Sequence, residues 1–246
     1  MAPEMRIVLN DEFKPFPLIK GPHAQTLWAS KVRRTPSLDV IFERVELPDN
    51  DFIDITWTTN VTDPIVVILH GLEGSYSSSA YIKCILRRLE SAGMCGVVMH
   101  FRGCSGALNR LPRSYHAGDT IDLSHVMNHI TASVKSDPFA IIGYSLGGNV
   151  LLKWLGENNP SYLKTAIAVS VPFDLSASAD ILNRGISKGY QWYLIKSMRK
   201  KFNEKFKKID PVLFFDKRLR LNTFRNFDNA ITAPLHGFSG ADEYYE

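Results

Sequence analysis

The sequence predicts an α/β fold: a mostly parallel sheet with helices on both faces and a helical lid. Three observations carry this. Apolar runs rich in β-branched residues alternate with stretches whose apolar residues recur at helical spacing, from about residue 64 to residue 171. One such run ends abruptly at Gly143-Tyr144-Ser145-Leu146-Gly147, and a helix-compatible run with Val150, Leu151, Trp154 and Leu155 begins at once. After Pro172-Phe173-Asp174 the alternation stops and an aromatic-rich helical stripe takes over. With 246 residues the chain is long enough for one ample core.

Taken in order, residues 1–40 hold Pro3, Pro15, Pro17, Pro22 and Pro36, too many for a long helix or central strand. They read as an extended arm with a short helix around Ala24 to Ser30. Val40 to Leu47 and Phe52 to Thr58 are β-rich runs joined by Pro-Asp-Asn-Asp, a hairpin. Pro64 to His70 and Cys95 to Phe101 are continuous apolar runs, as strands buried on both faces should be. Helices are expected over Ser78 to Ser91, stopped by Gly93, and over Gly118 to Val134. The run from Phe139 and its following helix come next, then a sixth strand over Thr165 to Val171. Residues 175 to about 215 are expected to be helical. The expected organisation is therefore arm 1–40, core 41–174, helical lid region 175–236, and 237–246 as the start of a further C-terminal part.

Charge and cysteine content exclude several classes. The formal charge of +4 resides in residues 196 to 208, which hold seven basic residues and one acidic. That is no nucleic-acid-binding face. Beside those lysines, Met198, Phe202 and Phe206 recur four apart, which suits either a lid helix with an apolar inner stripe or peripheral contact with anionic lipid. Cys84, Cys95 and Cys104 lack metal-ligand spacing and even pairing, so neither a metal site nor a disulfide framework is expected, and a reducing cytoplasm is the expected home. His125 and His129 lie four apart without the Glu and third ligand that zinc would need. No cofactor motif is read.

Chemistry enters at Ser145. Strand, sharp G-x-S-x-G turn and helix make a nucleophile elbow, which strains the serine backbone and lifts its hydroxyl above the sheet edge. Gly143 and Gly147 are required because strand and helix backbones pass too closely for a Cβ. The Leu146 N–H, at the helix start, faces the place where an oxyanion would form. His70-Gly71-Leu72-Glu73-Gly74 follows the third strand, where an α/β-hydrolase fold supplies its second oxyanion donor, here the Leu72 N–H. His70 itself reads as a residue that orients this loop.

Longer motifs carry a family resemblance: Gly-Pro-His-Ala-Gln-Thr-Leu-Trp (21–28), Glu-Leu-Pro-Asp (46–49), His-Gly-Leu-Glu-Gly (70–74), Phe-Arg-Gly-Cys-Ser-Gly (101–106) with Asn109-Arg110, Gly-Tyr-Ser-Leu-Gly-Gly-Asn (143–149), Val-Ser-Val-Pro-Phe-Asp-Leu (169–175) and Thr-Ala-Pro-Leu-His-Gly-Phe (232–238). Across nearly its whole length the chain resembles the YheT-type esterases of the α/β-hydrolase superfamily, relatives of the eukaryotic abhydrolase proteins. The resemblance implies hydrolysis of carboxylic or lipid esters, with Ser145 as nucleophile and Leu72 and Leu146 as oxyanion donors. It places the loop Arg102 to Arg110 at the pocket rim and makes Cys104 a packed thiol.

The triad is the difficulty. Such enzymes order it Ser, acid, His, with acid and base after the seventh and eighth strands, and only six strands are read here. Beyond Ser145 the only histidine is His236, and the acids include Asp174, Asp210, Asp216, Asp228 and Asp242. His236 falls in a motif that precedes the family's seventh strand. The acid and base are therefore expected beyond Glu246, with the last two strands missing; His236 and Asp174 are the weak candidates within the chain. The alternative is a catalytically impaired remnant or binding module. A shortened sheet should also expose an apolar edge.

Overall fold

The computed structural model describes residues 19, 21–28, 35–208 and 220–246. Its strands are β1 (Val40–Glu46), β2 (Phe52–Thr58), β3 (Ile65–Leu69), β4 (Cys95–Met99), β5 (Ala140–Tyr144) and β6 (Thr165–Val169). They form one sheet in the order β1-β2-β4-β3-β5-β6. The hairpin β1–β2 and the pair β2–β4 are antiparallel, and β4, β3, β5 and β6 are mutually parallel. In the hairpin register Arg44 faces Asp54 and pairs with it at 2.7 Å.

The central strands sit where their composition requires. Every residue of β3 and β4 is buried, because both faces of the sheet are covered. Helices α3 (Thr120–Val134) and α4 (Leu146–Asn158) pack Leu123, Met127, Val150 and Trp154 against the face that carries Val67, Leu69, Val97 and Met99. Helix α2 (Ala80–Ser91) packs Ile82 and Leu86 against Ile68 and Val98 on the opposite face. Period-two alternation along β3 and β4 thus feeds two separate apolar layers. At the far edge β6 is paired on one side only among the described residues; Ile167 is 47% exposed and the following Phe173 83% exposed. No strand follows β6 among the described residues.

Two elements depart from the sequence reading. The short N-terminal helix is α1 (Pro22–Leu27), starting at the proline because a first-turn position needs no N–H; residues 29 and 30, and most of the arm, lie outside the described residues. The helical region after 174 is two helices, α5 (Leu175–Leu182) and α6 (Ser187–Lys205), broken where Gly185 adopts φ +49°. Residues 209–219, with Asp210 and Asp216, lie outside the described residues. Short helical turns at Phe224–Phe227, Asp228–Thr232, Ala233–Leu235 and Ala241–Tyr245 complete the chain. Leu221, Phe224, Phe227 and Ile231 pack with Ala179 of α5 and Ile195 of α6 in an apolar cluster of their own.

Candidate active site

Ser145 joins β5 to α4 with φ +50° and ψ −118°, a backbone region that residues with a Cβ rarely adopt. Its strain is held by bonds on both sides. The Ser145 N–H donates to Val169 O of β6 at 2.8 Å, and the N–H groups of Gly148 and Asn149 donate to Ser145 O at 2.8 and 3.2 Å. A Cβ on Gly143 would stand 2.5 Å from Gly147 O, and one on Gly147 would stand 2.6 Å from His70 O. Those neighbours are backbone and cannot give way, so both glycines are dictated by the crossing of strand and helix.

The His70–Gly74 loop lies directly against this turn: a Cβ on Gly71 would be 3.3 Å from Ser145 Cβ and 4.0 Å from its Oγ. His70 is fully buried and fixes the loop from beneath. Its Nδ1–H donates to Gly71 O at 2.7 Å, and its Nε2 accepts from the Phe101 N–H at 3.1 Å. Burial pushes its pKa down to about 3, so at neutral pH it is an uncharged strut between the ends of β3 and β4. The N–H groups of Leu72 and Leu146 take no acceptor among the described residues. Leu146 opens α4, where the first N–H groups have no partner within the helix.

Ser145 and both leucines line a cavity of about 230 Å³. Its walls are largely apolar, with Leu182, Leu194, Met198, Phe202 and Phe206 of α5, α6 and the residues beside them among the lining. The Met198-Phe202-Phe206 stripe therefore faces the cavity. The exposed residues of α6 include Trp192, Tyr193, Lys196, Arg199 and Lys200.

One end of the cavity is ionic. Arg102 meets Asp51, Asp49 and Asp122 at 2.6 to 2.9 Å; burial opposes its charge, but these carboxylates hold its pKa above the ordinary arginine value. Lys201 pairs with Glu73 at 2.6 Å and reaches Cys104 Sγ at 3.1 Å. Burial raises the Cys104 thiol pKa, in keeping with a packed side chain. Lys205 donates to Asn109 Oδ1 at 2.7 Å and Arg113 O at 2.6 Å, and burial lowers its pKa to about 8.

The weaker sequence candidates separate. Asp174 is the N-cap of α5, accepting from the Ala177 N–H at 2.7 Å. That bond spends its carboxylate on the helix end, and it does not line the cavity. His236 does line it, with Nδ1–H donating to Thr232 O at 2.7 Å, Nε2 buried, and the Ser114 backbone also bearing on the ring. Its ring lies 4.6 Å from that of His116, and burial lowers its pKa. No hydrogen bond joins it, or any carboxylate among the described residues, to Ser145 Oγ. His129 is bonded to Glu43 at 2.6 Å, and no cluster of three or more metal-ligating side chains occurs among the described residues. Asp228, one of the acids noted beyond Ser145, is a buried cavity residue held by Thr232 Oγ1 and Tyr245 OH at 2.7 and 2.8 Å, and burial raises its pKa to about 6. The bonds made by Glu73 leave no trace in the sequence, although Glu73 lies inside the His70–Gly74 motif.

Known proteins resemble this chain in sequence and in fold. The α/β-hydrolase fold profile matches residues 64–225. YheT of Escherichia coli (strain K12), a provisional esterase by name, is 36% identical over 95% of this chain and 71% of its own length. The monoacylglycerol lipase of Saccharomyces cerevisiae (strain ATCC 204508 / S288c) is 30% identical over 74% of this chain and 42% of its own. Among solved structures, a Pyrococcus furiosus esterase superposes with a TM-score of 0.52 at 21% identity, covering 69% of this chain and 68% of that one, a likeness of fold. The chain thus spans between two fifths and three quarters of these relatives.

Proposed function

The chain belongs to the α/β-hydrolase fold family, and we propose that it is a serine esterase acting on carboxylic esters with an apolar acyl part, lipid esters included. One observation carries this reading: a strained Ser145 beside two unengaged backbone N–H groups, those of Leu72 and Leu146, on the wall of an apolar cavity. Ser145 Oγ would attack the ester carbonyl carbon while its proton passes to a base. The carbonyl oxygen becomes an oxyanion, and the two N–H groups hold it without rearranging, each worth about 3 kcal/mol of barrier. Collapse expels the alcohol, which takes the proton, and leaves an acyl-enzyme; water then attacks that ester and releases the acid.

For the base, the candidate among the described residues is His236, favoured by its carbonyl-anchored Nδ1 and its buried Nε2 on the same cavity. Turnover of a p-nitrophenyl ester series by the chain, by Ser145→Ala and by His236→Gln tests both statements. The reading expects turnover that is lost in Ser145→Ala. Equal loss in both variants assigns the base to His236, and turnover that survives Ser145→Ala contradicts the reading. No helix among the described residues is long and apolar enough to cross a membrane.

A further inference from the structure

We propose that Glu73 is a positioning residue that couples the docking of lid helix α6 to the shape of the oxyanion loop. The proposal rests on the Ser145 reading above, and it concerns how the Leu72 donor is kept in place. Leu72 is followed by Glu73, which has φ +59°, a conformation that a residue with a Cβ adopts only when its surroundings impose it. The surroundings here are four polar contacts. The Glu73 N–H donates to Tyr115 Oη at 3.0 Å, and the Tyr115 hydroxyl donates back to Glu73 Oε1 at 2.9 Å. Ser197 Oγ donates to Oε2 at 2.6 Å, and Lys201 Nζ pairs with Oε1 at 2.6 Å.

The first two contacts belong to the core, and the other two to the lid. Ser197 and Lys201 are one helical turn apart on α6, and Lys205, one turn further, fastens the same face to Asn109 and Arg113. The Glu73 side chain is 7% exposed, and Lys201 is its one cationic partner among the described residues. A buried carboxylate without its cation is unfavourable, so it would turn toward water when the lid lifts. Turning it out removes the Tyr115 bond from the carboxylate and frees the strained residue beside the donor. The same helix presents Met198 and Phe202 to the cavity, so a bound acyl group bears directly on the element that holds the loop. In this arrangement the oxyanion hole is complete only with the lid docked.

Amide hydrogen exchange on the full chain tests the coupling without requiring turnover. The reporters are the Glu73 N–H and the Gly74 N–H, which donates to Gly71 O at 2.9 Å; β3 amides are the reference. In the double variant Ser197→Ala/Lys201→Met, exchange at both reporters is expected to rise roughly 10- to 100-fold with β3 unchanged, and Lys201→Arg to restore most of the protection. Ser197→Ala alone gives a smaller rise and serves if the double variant does not fold. Unchanged protection at Glu73 and Gly74 while α6 loosens overturns the proposal, as does an equal rise in β3, which would mean general destabilisation. In ester turnover the same variants lower kcat at nearly constant KM. If turnover does not depend on Ser145, the esterase reading fails and the exchange result alone decides the coupling.

Discussion

Ser145, Gly143 and Gly147 show how a few residues commit a backbone. The two glycines could be read from sequence because their requirement is local: a strand and the helix that follows it must pass within contact distance. The unengaged Leu146 donor was legible for the same reason, being the first residue of a helix. The environment of His236 was not, since it is set by Thr232, His116 and a cavity assembled from distant segments. Asp174 lay between these cases. The sequence offered it as a weak triad acid, and its short-range bond to Ala177 makes it a helix cap. Asp174→Ala is accordingly expected to cost about 1 kcal/mol of stability in urea unfolding. Covalent labelling of Ser145 should be unaffected; a loss of labelling at unchanged stability would return Asp174 to the catalytic machinery.

At the scale of elements, strands β3 to β5 and helices α2 to α4 were legible because buried parallel strands and amphipathic helices have different periods. The insertion of β4 between β2 and β3 was not, because pairing order depends on crossovers that leave no periodic trace. Helix α6 is the instructive case. Met198, Phe202 and Phe206 announced an apolar stripe, while the adjacent lysines looked like one solvated or lipid-facing charge cluster. Lys201 and Lys205 instead turn inward, to Glu73 and Asn109. A lysine stem packs against apolar surface as readily as it reaches water, and only partners about a hundred residues away decide which.

At the scale of the whole molecule, buried histidines should make the fold sensitive to acid. His70, His100 and His116 have pKa values pushed down by burial to about 3, 4 and 3. The unfolded chain takes a proton at each near pH 6.5 while the native state does not. Their contribution is therefore complete above pH 6.5 and is lost as pH falls toward 4, about 2 kcal/mol per histidine between pH 7 and 5. Asp119 and Asp228 act with the opposite sign, since burial raises both to about 6 and the native state takes those protons first, returning about 1.4 kcal/mol each. A net loss of at least about 3 kcal/mol is expected from urea unfolding at pH 7 and pH 5, with His236, also lowered by burial, acting in the same direction; equal stability at the two values would contradict it.

The proposed esterase chemistry turns on one atom, the Ser145 hydroxyl oxygen, carried by a strained turn on the wall of an apolar cavity. Reaction of the folded chain with an alkyl fluorophosphonate, followed by peptide mass mapping, tests it most directly. The account predicts a single phosphonyl adduct on Ser145 that is absent in Ser145→Ala. No adduct on folded protein, or an adduct on another residue that persists in Ser145→Ala, would contradict it.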